Sequence, residues 1–201
     1  MLTIGCGFAL LPTFRNINAP PEANVLPARQ LTTHEMGALP APQVASFTDY
    51  LATIGTTGVQ GNNSTCFSYP EGIATDRAGF VYVTDLTNYR VQIFSTAGNY
   101  LYTLGTTGQS GADNAHFGQP YDVAVNSTGY IYVTDFSNNR VQIFTPAWDY
   151  LTTISAGLNG PLGVTVDSND FVYVMDQGHN LVKVFDNALH PMPSIGSGGG
   201  A

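Results

Sequence analysis

Few residues in this chain are of a type that does chemistry. Four histidines (His34, His116, His179 and His190) and two cysteines (Cys6 and Cys66) are the soft ligands and nucleophiles available. Cys66 and His116 stand in equivalent settings, each directly before a phenylalanine, Phe67 and Phe117. Two such ligands on one rim would attract a soft divalent metal, but a protein zinc site needs three or four. The expectation is therefore no cofactor, with a divalent metal as the alternative. A Cys6–Cys66 disulfide would staple the N-terminal arm to the first of the strand-rich segments, although two thiols define no disulfide framework. No Ser-His-Asp set, phosphate loop or carboxylate dyad stands out. Binding is better supported than catalysis.

Charge narrows the partners. The net charge is −8, with only six Lys and Arg, and charged residues make up 10% of the chain. Nucleic-acid affinity draws on basic residues that release counterions around phosphate. This chain has no basic run, so neither nucleic acid nor an anionic membrane surface is expected as a partner. No stretch of 18 apolar residues suits a transmembrane helix. A surface built from Thr, Ser, Asn, Gln, Gly and Tyr is common outside the cell, and an extracellular or cell-surface location is expected. The sequons at Asn62, Asn63 and Asn126 would then be glycosylation sites on exposed loops.

The elements that position these residues are repeats. Three segments align in register. The first runs from Gly72-Ile-Ala-Thr-Asp76 through Phe80-Val-Tyr-Val-Thr-Asp85 and Arg90-Val-Gln-Ile-Phe94 to Tyr100-Leu-Tyr-Thr-Leu104. The second runs from Asp122-Val-Ala-Val-Asn126 through Tyr130-Ile-Tyr-Val-Thr-Asp135 and Arg140-Val-Gln-Ile-Phe144 to Tyr150-Leu-Thr-Thr-Ile154. The third runs from Gly163-Val-Thr-Val-Asp167 through Phe171-Val-Tyr-Val-Met-Asp176 and Leu181-Val-Lys-Val-Phe185 to Pro191-Met-Pro-Ser-Ile195. Asp85 to Asp135 is roughly 50 residues and Asp135 to Asp176 roughly 40, the typical size of a propeller blade. The longer interval contains the linker from Thr106 to Gln119.

Each unit holds four short runs of Val, Ile, Tyr, Phe and Thr bounded by turn residues, which read as strands. Apolar residues at successive positions, such as Val81-Tyr82-Val83 and Ile131-Tyr132-Val133, suit sheets packed on both faces. The fold class expected is all-β, with propeller blades of four antiparallel strands over about 67–105, 117–155 and 160–196. A spare outer strand at 50–54 matches the fourth strand of later units. Residues 1–46 read as an extended Pro-rich arm or linker, and 47–201 as the repeat region.

These motifs resemble the NHL family: Pro-x-Gly-Ile/Val, Val-Tyr-Val-x-Asp, Asn-x-Arg-Val-Gln-Ile-Phe and Leu-x-x-Leu/Ile-Gly, over roughly 47–196. The resemblance implies a ring, commonly of six blades, so three blades would form part of a longer ring or be completed by assembly into a ring or filament. The Asp-x-x-Asn-x-Arg element stands as Asp85, Asn88, Arg90 and as Asp135, Asn138, Arg140. In the third unit it decays to Asp176, His179 and Leu181. An Asp and an Arg flanking a tight turn pair to hold the second and third strands together, a structural role. Glu71, Tyr121 and Asp122, with Leu162, would stand near one mouth of the channel. An acidic, aromatic mouth suits a cation, sugar or peptide. The reading is a non-enzymatic binding or scaffold module for a protein or carbohydrate ligand, or for further copies of itself. The alternative is a metal-dependent lyase, because His116-Phe-Gly-Gln-Pro120 is similar to a segment of the peptidyl-hydroxyglycine amidating lyases. The zinc histidines of those enzymes come from several blades, and no such set is visible here.

Overall fold

Strand-forming runs too short to bury a face alone must stack. A computed structural model describes residues 53–196, and within them twelve strands form three four-stranded sheets. The arm at 1–46, Cys6, His34, most of the spare strand and the Gly-rich end lie outside the described residues. The first blade comprises β1 (Pro70–Thr75), β2 (Val81–Asp85), β3 (Arg90–Phe94) and β4 (Tyr100–Gly105). The second comprises β5 (Pro120–Val125), β6 (Ile131–Asp135), β7 (Arg140–Phe144) and β8 (Tyr150–Ile154). The third comprises β9 (Pro161–Val166), β10 (Val172–Asp176), β11 (Leu181–Phe185) and β12 (Pro191–Ile195). Every neighbouring pair is antiparallel, in chain order. The prolines of β12 fall on an edge strand, where a missing N–H disturbs only one side of the ladder.

Each blade buries both faces where it has neighbours, as the continuous apolar runs require. Tyr82, Val91, Ile93 and Leu104 of the first blade pack against Phe117, Val123, Ile131, Val133 and Phe144. Tyr132, Val141, Ile143 and Ile154, on the opposite face of the second blade, pack against Leu158, Val164, Val172, Val174 and Phe185. Successive residues of one strand therefore serve two different cores.

The inner strands β1, β5 and β9 approach one another closely. A Cβ on Gly72 would lie 2.6 Å from Asp122 Cα and 2.8 Å from Tyr121 O, so only glycine fits there. At the other end of each middle hairpin, β2, β6 and β10 pass through a single 3-10 turn: Leu86–Asn88, Phe136–Asn138 and Gln177–His179. The residue after each turn is left-handed in all three blades: Tyr89, Asn139 and Asn180. This geometry returns the chain directly into the third strand and points the Asp, Asn and Arg side chains at one another.

Candidate functional site

The repeated polar element forms a buried cage under each of the first two 3-10 turns. Asp85 and Arg90 are register partners across β2 and β3, and Arg90 Nε donates to Asp85 Oδ2 at 2.8 Å. Asn88 Nδ2 donates to the same oxygen at 2.9 Å, and Ser68 N donates to Oδ1 at 2.6 Å. In the second blade Arg140 Nε and Asn138 Nδ2 each donate to Asp135 Oδ2 at 2.8 Å, while Gly118 N donates to Oδ1 at 2.7 Å. Asp, Asn and Arg thus hold the turn and join the second strand to the third.

The rest of each guanidinium does something the sequence did not reveal. Arg90 Nη1 donates to Asn62 O at 2.8 Å, and Nη2 to Asn63 O at 2.9 Å and Cys66 O at 3.0 Å. Asn88 Nδ2 also donates to Gly61 O, and Gln92 Nε2 to Asn63 O. In the second blade Arg140 reaches Ala112 O, Asp113 O and His116 O at 2.7, 2.8 and 2.9 Å. Asn138 and Gln142 bond Gly111 O and His116 O in the same way. One Arg, one Asn and one Gln therefore clamp the carbonyls of the long linker that enters their own blade. Buried carbonyls need such donors, because an unpaired one costs about 1–3 kcal/mol.

The third blade has no clamp and no long linker. Leu181 and Lys183 replace the Arg and the Gln, and Ser155 to Gly160 alone connects β8 to β9. His179 Nδ1 takes the place of the Asn amide on Asp176 Oδ2 at 2.8 Å, and Asn159 N donates to Oδ1. The uneven repeat spacing and the decayed motif are one fact: the Arg is present where the linker is long. Comparing Arg90 and Arg140 with Leu181 against the two intervals would have exposed it.

A second recurring bond joins neighbouring blades. Thr84 Oγ1 accepts from Gly72 N and donates to Tyr121 O at 2.9 Å across the blade boundary. Thr134 Oγ1 accepts from Asp122 N and donates to Leu162 O at 2.9 Å. The third counterpart is Met175, which has no hydroxyl.

The residues expected to bind a ligand have mixed surroundings. Glu71 is exposed on β1. Tyr121 is half-buried, its ring centroid 5.2 Å from that of Phe136. Asp122 does not project freely, since Oδ1 accepts from Val123 N and Oδ2 from Val164 N at 3.0 Å. It ties β5 to β9. Of the expected metal pair, Cys66 is buried and is not a free thiol, while His116 Nδ1 bonds the exposed Asp113 carboxylate at 2.6 Å. That bond is the main cause holding the Asp113 carboxyl below its usual range. Among the described residues no three His, Cys, Asp or Glu side chains come together as a metal cluster. Of the sequons, Asn62 and Asn63 are exposed; Asn126 is buried, with Oδ1 accepting from Thr128 N, Thr128 Oγ1 and Tyr130 N. Among the described residues no helix is long and apolar enough to cross a membrane.

Four-stranded sheets stacked face to face, inner strands converging, with the same cage in successive units, define a β-propeller repeat protein. The NHL repeat model matches residues 67–94, 117–144 and 158–185. The chain belongs to the NHL-repeat proteins. No curated protein matches it in sequence. Among solved structures it is similar to a nidogen/laminin complex, at 23% identity and TM-score 0.55, covering 66% of this chain and 49% of that one. It is also similar to virginiamycin B lyase from Staphylococcus aureus, at 19% identity and TM-score 0.51, covering 62% and 40%. A catalytically inactive variant of that lyase with quinupristin gives 19% identity and TM-score 0.51, covering 65% and 41%. The chain spans half or less of the length of these structures, and the likeness is one of fold.

Proposed function

We propose that this chain is a non-enzymatic binding or scaffold module that docks other polypeptide surfaces, further copies of itself among them, outside the cell or at its surface. The observation that carries this reading is where the buried polar side chains are spent. Asp85, Arg90, Asp135 and Arg140 hold turns and linkers, Asp176 holds a turn, and Asp122 ties two blades. Large apolar side chains, Tyr69, Ile73, Tyr102, Leu151 and Ile195 among them, are exposed on the blades with few charged neighbours, the chemistry of protein docking. The exposed sequons at Asn62 and Asn63 support an extracellular setting, and the fold shared with a nidogen/laminin complex supports a protein partner.

The test is affinity capture from extracellular medium, with wild type compared against an Ile73→Asp, Ile195→Asp double variant, alongside lyase assays and metal analysis of the purified chain. Capture lost in the double variant, with no turnover, is the expected result. Stoichiometric metal accompanied by turnover would overturn the reading in favour of a lyase.

A further inference from the structure

The corner where a long linker enters its blade is built from different residues in the first two blades. In the first blade Gln60 Nε2 donates to Ser68 Oγ at 2.6 Å, and Thr87 Oγ1 bonds both Ser68 Oγ and, at 3.0 Å, Ser68 O. These side chains close the corner on one another. In the second blade the same positions hold Ser110, Gly118 and Ser137. The long amide has shrunk to a hydroxymethyl group and the middle side chain is gone. A Cβ on Gly118 would lie 2.8 Å from Ser137 Cβ, so nothing larger fits there unshifted. What remains is a cavity of about 420 Å³, inside the range of roughly 300–1,000 Å³ typical of small-ligand sites. Between the second and third blades there is no long linker, and Asn139 Oδ1 accepts from Gly160 N at 2.7 Å.

Tyr89 of the first blade, Ser110 and Ala112 of the linker, and Gln119 and Ser137 of the second blade line the cavity, and no charged side chain does. Its walls are held from behind. Asn138 Nδ2 donates to Gly111 O and Arg140 Nη1 to Ala112 O, which fixes the linker wall, while Phe136 N donates to Gln119 O at 2.9 Å. Ser137 Oγ donates to Gln119 Oε1 at 2.7 Å, which leaves the Gln119 amide nitrogen to donate and the serine oxygen to accept. The Tyr89 and Ser110 hydroxyls have no hydrogen-bond partner among the described residues, and the Tyr89 ring packs on no other aromatic ring there. An uncharged wall offers no counter-charge to a phosphate, carboxylate or ammonium group, so it does not offset the cost of stripping water from one. We propose that this cavity binds one neutral sugar residue, a hexose or N-acetylhexosamine unit of a glycan. Neighbouring sugar hydroxyls each donate and accept, and Ser110, Gln119 and Ser137 present both roles side by side. The apolar C–H face of the pyranose lies against Tyr89, the aromatic residue of the site. The exposed isoleucines of the docking reading do not line this cavity, so it adds a second class of ligand.

The experiment is saturation-transfer NMR on the full chain with glucose, galactose, mannose and N-acetylglucosamine, each at tens of millimolar. Ser110→Gln restores the first-blade residue and refills the hollow. Tyr89→Asn installs the residue that Asn139 and Asn180 supply at the same left-handed position. Both substitutions copy residues the repeat already carries, and unchanged thermal melting verifies that each variant folds. At least one sugar should bind wild type with a Kd on the order of millimolar, and each variant should weaken it by about ten-fold or more. Binding of none of the four sugars overturns the proposal, as does binding that is equal in wild type and both variants. An N-acetylated diglycine amide serves as a peptide probe. If it binds more tightly than every sugar and is lost in both variants, the cavity takes peptide and the sugar assignment is wrong.

Discussion

Arg140→Leu copies the third blade into the second without shortening the linker, and its cost can be worked out from the cage. The substitution removes the Nε bond to Asp135 and the three bonds to Ala112 O, Asp113 O and His116 O. Asp135 keeps the amide of Asn138 and the backbone N–H of Gly118 and Gln119, so its carboxylate stays hydrogen-bonded but loses its counter-charge in a fully buried site. Breaking a buried pair from one side costs about 3–5 kcal/mol. The linker carbonyls swing to water, which limits any further loss. For a chain of this size the melting temperature should fall on the order of 10 °C. Denaturant unfolding followed by intrinsic fluorescence gives the free energy, and hydrogen exchange at 106–116 reports the freed linker. Replacing that linker with the short third-blade connection, together with Asn138→His and Arg140→Leu, should recover most of the loss. A cost for Arg140→Leu under about 1 kcal/mol, with linker exchange unchanged, would refute the clamp.

The same geometry carries four more expected outcomes. Gly72→Ala should destabilise the boundary between the first two blades by about 1–3 kcal/mol, because its Cβ meets Asp122 Cα at 2.6 Å, and calorimetry will read the shift. Val133→Asp places a charge between packed sheets and should unfold the second blade, seen as loss of the cooperative transition; unchanged melting would show that β6 is not core. Burial pushes the Tyr82 hydroxyl up to about 12, so the folded state holds its proton more tightly than the unfolded chain. The stability this supplies is full below the unfolded value of about 10 and is lost as pH rises toward about 12, which alkaline titration of Tyr82→Phe against wild type will detect. When the chain is secreted from a glycosylating cell, peptide mapping should find sugar on Asn62 or Asn63 and none on buried Asn126.

The blades were legible because their information is local. Val81-Tyr82-Val83 and Ile131-Tyr132-Val133 declare strands buried on both faces, and the packing assigns alternate residues to the two cores as that pattern demands. The Asp–Arg pairing was legible because both partners are side chains at fixed spacing. The linker clamp was not, since its acceptors are backbone carbonyls, which every residue carries and no motif marks. Asp122 illustrates a different blind spot. Standing where the other units have Gly72 and Gly163, it suggested a free carboxylate at a rim, whereas its oxygens close two backbone N–H groups. The exposure of Ile73 and Ile195, against the burial of their counterparts in the other repeats, was not legible in the motifs, because equivalent repeat positions carry the same residue types.

The central claim is that the blade faces are the docking surfaces of this protein. Affinity capture from extracellular medium with wild type and with the Ile73→Asp, Ile195→Asp double variant tests it most directly. The account predicts that wild type retains a protein partner and that the double variant, with both exposed isoleucines charged, loses it. Equal capture by the two proteins, or capture by neither, would contradict it.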